Sequence, residues 1–140
     1  MLVVVDTNVF IGACMGIGAP NAVVAQCLDG TFEPLMGTAL LTEFEDILAR
    51  DSLFEGCRLD AGERSELLDI FLAHCRWTRI FYGWRPNLPD ESDNHLIELA
   101  VAGNARRIVT RNLRDFERAE LSFNHIVALT PEQLLQEIDQ

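Results

Sequence analysis

A chain of 140 residues, 49% hydrophobic and 24% charged, has the length of one domain with a buried core and the composition of an ordinary globular protein. Its formal net charge is −11 and all its basic residues are arginine, which excludes the P-loop, Schiff-base and kinase-type sites that need a lysine. No apolar run is long enough for a membrane helix, Met1–Val5 meets Asp6 too early for a signal peptide, and Cys14, Cys27, Cys57 and Cys75 lack C-x-x-C or zinc spacing, so a cytoplasmic chain with reduced, buried thiols and no membrane partner is expected.

Leu2–Val5 is a continuous β-branched and apolar run, the pattern of a strand covered on both faces of a parallel sheet. Pro20–Asp29 reads as a helix ended by Gly30, and Phe32–Met36 as a short strand. Thr38 is the expected cap of a helix over Ala39–Arg50, where Leu40, Leu41, Phe44, Ile47 and Leu48 recur at helical spacing. Leu59–Cys75 carries a second long helical pattern, Thr78–Tyr82 is strand-like, and the segment 83–92, with two prolines, is a loop. From Asp93 the helical period returns through Leu96, Ile97, Leu99, Ala100 and Val101, stopping near Gly103. Arg107–Thr110 and Ile126–Leu129 are the last strands, and Thr130-Pro131-Glu132-Gln133 is a helix start with proline in the first turn and glutamine in capping-box position. This alternation of strands and helices predicts βαβ units, a parallel sheet and a single α/β domain over residues 1–140.

In an open parallel sheet, ligands bind beyond the carboxyl ends of the strands, and several acids fall there. Asp6 follows the first strand, Asp115 lies shortly after the strand ending at Thr110, and Asp90 and Asp93 straddle the start of the helix that feeds it. Glu43 and Glu45 hold mirror positions at the rim of their helix's apolar stripe, with Asp46 facing outward, and periodicity does not choose between them. Carboxylates gathered at one edge repel each other unless cations neutralise them, and hard divalent ions such as Mg²⁺ or Mn²⁺ suit oxygen ligands. Each acid also has a plainer role: Asp6, Asp90 or Asp93 as helix caps, Asp115 as the ion-pair partner of Arg114 or Arg118.

Four segments in order, V-V-V-D-T-N-V-F-I (Val3–Ile11), L-L-T-E-F-E-D-I-L-A-R (Leu40–Arg50), D-E-S-D-N-H-L-I-E-L-A (Asp90–Ala100) and I-V-T-R-N-L-R-D-F (Ile108–Phe116), resemble the PIN domain family, and within it the VapC-type toxin components of bacterial toxin–antitoxin pairs. The resemblance implies a three-layer α/β/α fold around a central parallel sheet of four to five strands. It selects Glu43 over Glu45 and makes Asp6, Glu43, Asp93 and Asp115 the catalytic, metal-holding acids. Asn8, Asp90, Thr110 and Asn112 become supporting residues, and Arg111 and Arg114 candidate phosphate contacts. The implied activity is endoribonuclease hydrolysis of RNA with one or two Mg²⁺ or Mn²⁺ ions and no covalent intermediate. The implied partners are an RNA substrate, a cognate antitoxin protein and a second copy in a homodimer. Asn94 departs from the pattern, standing where relatives carry a further acid, so a catalytically weak scaffold that binds proteins is the alternative. Phosphotransfer through Asp6 is disfavoured, because position 8 is Asn and lysine is absent.

Overall fold

Five short strands, all parallel, form the sheet: β1 (Leu2–Val5), β2 (Glu33–Met36), β3 (Arg76–Trp77), β4 (Arg107–Val109) and β5 (Val127–Leu129), in the order β3-β2-β1-β4-β5. The computed structural model describes residues 1–16, 18–80, 94–117, 123 and 125–139. Asp90 and Asp93 lie outside the described residues, as does the whole loop expected over 83–92. Val3, Val4 and Val5 point alternately to opposite faces, yet each is at most 1% exposed. Both faces of β1 are therefore covered, the three-layer arrangement the continuous apolar run requires. Beside β1, β2 accommodates a proline because Glu33 N–H donates to Met1 O, which turns the alternate residue Pro34 toward the β3 side, where pairing starts only at Leu35.

Among the described residues six helices flank the sheet: α1 (Thr7–Cys14), α2 (Gly18–Leu28), α3 (Thr38–Leu48), α4 (Ala61–Ala73), α5 (Asn94–Gly103) and α6 (Pro131–Ile138). Helix α1 has no counterpart in the periodicity reading, because Val9, Phe10, Ala13 and Cys14 bury it over so wide an arc that no polar face marks it. Three phenylalanines lock the helices together: Phe10 of α1 meets Phe44 of α3 edge to face at 5.3 Å between ring centroids, and Phe71 of α4 completes the cluster at 5.6 and 6.0 Å.

Several boundaries differ from expectation for identifiable reasons. Thr38 is the first residue of α3 rather than its cap; extended Gly37 holds the cap position without a side-chain bond. Of the strand expected at Thr78–Tyr82, residues 81 and 82 lie outside the described residues and 78–80 are not strand; the strand described is Arg76–Trp77, where Arg76 pairs with Glu33 at 2.8 Å, and Thr78 N–H still donates to Met36 O. Gly103 ends α5, but the left-handed residue that turns the chain is Asn104, at φ 63°. The glycine answers a different need: a Cβ there would lie 2.3 Å from Leu35 Cδ1 on β2. At α6, Thr130 and Gln133 form the expected reciprocal capping box, and Asp60 with Glu63 forms a second one at α4. The four cysteines are free thiols, Cys14 and Cys27 fully buried.

Candidate active site at the carboxyl edge of the sheet

Strand order fixes where a site forms. The chain moves from β1 outward through β2 to β3, then crosses back to the other side of β1 for β4 and β5. The connections leaving β1 and β4 diverge, opening the crevice that open α/β sheets use for ligands. The residues just beyond these two strands are Asp6 and Thr110, respectively 3% and 0% exposed.

Asp6 caps α1, accepting from Thr7 N–H at 2.7 Å on Oδ1, so its plainer role is realised. Capping uses only one oxygen. Oδ2 accepts from the Thr110 hydroxyl at 2.7 Å and from Asn8 Nδ2 at 3.2 Å. Asn8 Oδ1 accepts from Arg111 N–H at 3.1 Å, and Thr110 Oγ1 accepts from Asn112 N–H at 3.0 Å, so the turn after β4 is clipped to the first turn of α1. Despite these donors the Asp6 carboxyl is held above its ordinary pKa, first by burial and then by the negative Glu43, the hydrogen bonds from Thr110 and Thr7 opposing. The group is charge-starved: neutral donors surround it, and a cation is what would settle it.

Glu43 reaches the same place from α3. Leu40, Phe44 and Ile47 form the buried stripe of that helix, and Glu43 flanks it on the side facing α1. Its Oε1 accepts from the Thr7 hydroxyl at 3.0 Å, a hydroxyl 3.5 Å from Asp6 Oδ1, so one threonine lies between the two acids. The geometry separates the three α3 acids that periodicity left together. Glu45 lines a groove between α3 and α4 with Leu41, Leu48, Ser65, Asp69 and Leu72, while Asp46 pairs with Arg50 on the surface at 2.6 Å.

Two residues of this network, Thr7 and His95, stand in the quoted motif segments but have no role in the sequence reading. His95, in the first turn of α5, has Nε2 2.6 Å from Glu43 Oε2. Thr7 lies inside the D-T-N motif without a role read for it. The only hint for His95 is its place beside the buried Leu96 and one turn before the buried Leu99.

Asp115 sits half-buried in a 3₁₀ turn (Leu113–Phe116), outside the hydrogen-bond network joining Asp6, Thr7, Asn8, Glu43, His95 and Thr110 among the described residues. Arg111 turns its guanidinium to Glu132 Oε2 at 2.7 Å, an ion pair that holds Glu132 below the ordinary carboxylate range. Arg114 is exposed. Among the described residues no three Asp, Glu, His or Cys side chains form a group that could hold a metal ion. Asp6 and Glu43 are two hard oxygen ligands of the right chemistry, and Mg²⁺ is commonly held by one or two carboxylates with water and substrate oxygens completing its shell.

A parallel sheet with paired carboxylates at its switch point defines the class: an α/β domain with an acidic site at the carboxyl edge. A family model described as a PIN domain matches residues 2–114, and the chain belongs to that family. No curated protein matches the chain by sequence. Among solved structures the fold is similar to a chain in the crystal structure of VapBC2 from Rickettsia felis bound to a DNA fragment from their promoter, with a TM-score of 0.61 and 15% identity, covering 93% of this chain and 98% of that one.

Proposed function

We propose that this protein is a divalent-metal-dependent endoribonuclease, acting as the toxin of a toxin–antitoxin pair in the cytoplasm. The observation that carries the reading is the convergence of Asp6 and Glu43 on either side of Thr7 at the switch point of a PIN-family sheet. Asp6 and Glu43, joined by Asp93 and with Asp115 further out, would hold Mg²⁺ or Mn²⁺, one ion or two. When bound, such an ion supplies charge neutralisation for the scissile phosphodiester and activation of the attacking water. The chain's own contribution is positional. Thr110, Asn8 and the Thr7 amide fix both oxygens of Asp6; the bond from Arg111 N–H to Asn8 holds the turn after β4 against α1, and Asn112 N–H closes that turn on Thr110. Arg111 would need to leave Glu132 to meet a phosphate, which ties substrate contact to a rearrangement at α6.

The VapBC2 likeness supports an antitoxin partner, and the net charge of −11 favours one with a basic segment over the groove. A homodimer belongs to the same reading. The test is cleavage of tRNA and mRNA by the purified chain with Mg²⁺, with Mn²⁺ and with chelator, alongside Asp6→Asn and Glu43→Gln. Metal-dependent cleavage lost in both variants supports the assignment; cleavage retained in both would falsify it. A second reading, a protein-binding scaffold with weak or no catalysis, is favoured by Asp115 standing apart and by the Asn94 departure. It predicts antitoxin binding without cleavage in any metal.

A further inference from the structure

The hydrogen bond between His95 and Glu43 joins the first turn of α5 to the middle of α3. The geometry points to His95 as a positioning residue of the acidic site: by donating from Nε2 to Glu43 Oε2, it fixes the carboxylate so that Oε1 faces Thr7 and Asp6. This deepens the metal-dependent reading above and rests on it.

The two acids differ in what restrains them. Asp6 is short, almost fully buried and anchored on both oxygens by the residues that follow β1 and β4. Glu43 has a longer side chain with more rotamer freedom, is 30% exposed, and faces a like charge at Asp6 that favours its turning out to solvent. Donors from two different elements bracket its carboxylate, Thr7 on Oε1 and His95 on Oε2. The bond to His95 is the shorter, 2.6 Å against 3.0 Å. An ionised carboxylate only accepts, so Nε2 is the nitrogen that carries the proton. His95 Nδ1 is buried and has no hydrogen-bond partner among the described residues, which leaves the Glu43 contact to orient the ring within them. A histidine placed merely to fill space between α3 and α5 would need the ring and not the donor. One placed to aim Glu43 needs the donor and not the ring.

That difference sets the experiment. Mn²⁺ alone is titrated calorimetrically into the full chain and into His95→Gln and His95→Phe, with the thermal midpoint of each recorded without metal. Glutamine can present an N–H near the position of Nε2; phenylalanine keeps the ring and loses the donor. His95→Phe is expected to bind Mn²⁺ about 10- to 100-fold more weakly, the usual cost of losing a hydrogen bond behind a metal ligand, and His95→Gln to stay within a few-fold of the parent. Should His95→Phe fail to fold, His95→Ala carries the same comparison. Parent-like affinity in the donor-less variant overturns the inference while leaving the metal reading intact, and so does equal loss in both variants. A parent that binds no Mn²⁺ overturns the metal reading and this inference with it.

Discussion

Thr110 has no access to solvent, and its hydroxyl donates to Asp6 Oδ2 while accepting from Asn112 N–H. Thr110→Val keeps the shape and removes these bonds together with the one Thr110 accepts from Asn8 Nδ2, leaving a buried carboxylate oxygen short of a donor. The expected loss is about 1–3 kcal/mol in urea denaturation, since hydrogen bonds to charged groups lie at the upper end of the usual range. Asp6 itself has a signed pH dependence. Its folded pKa is raised above the ordinary 3.8, so the folded chain binds that proton more tightly than the unfolded one. Stability from this group is therefore present at low pH and is lost as pH rises from the unfolded value through the folded one. Measured from roughly pH 4 to pH 7, the metal-free parent should lose stability relative to Asp6→Asn, and a flat difference would contradict the raised pKa. At this scale the sequence was legible where residue type and strand end coincided, at Asp6 and Thr110. His95 was not, because the side a first-turn residue faces depends on how α5 lies against α3.

Between elements, fit decides more than pattern. Gly103→Ala would drive a methyl into the fully buried Leu35, and overpacking of this kind costs about 1–3 kcal/mol, read as a lowered thermal midpoint. Phe44 adjoins Glu43 in α3 and touches both Phe10 and Phe71. Phe44→Ala should cost about 3–5 kcal/mol and also displace the neighbouring acid, so Mn²⁺ affinity should fall along with stability. The strands and the α6 cap were readable because their signals are local: a β-branched run, a proline in the first turn, a glutamine at the capping position. Helix α1 was not, since burial over most of its surface erases the period. The strand near Trp77 was misplaced because its position follows from pairing with β2 at Leu35 and Met36, a long-range fact that local composition does not carry.

Across the molecule, Asp6 and Glu43 meet where the sheet reverses its strand order, while arginines elsewhere pair with acids, as Arg107 does with Glu137 and Arg64 with Asp51. A cation that binds the folded chain alone must stabilise it by mass action: at a hundred times its dissociation constant, Mn²⁺ should add about 2.7 kcal/mol. The rise in thermal midpoint should vanish with chelator and in Asp6→Asn. Fold class and the order of the motifs were legible across the chain; the completeness of the ligand set was not, because it depends on how residues distant in sequence meet.

The contact between Thr110 and Asp6 spans 104 positions, and the strand it locks in place, β1, precedes the other four strands along the chain yet lies at the middle of the sheet. A nascent chain carries Asp6, Glu43 and their threonine long before β4 exists to close the crevice. Until then β1 lacks one of its two neighbours. The buried anchor of Asp6 is therefore assembled only once β4 has been made and has paired with β1.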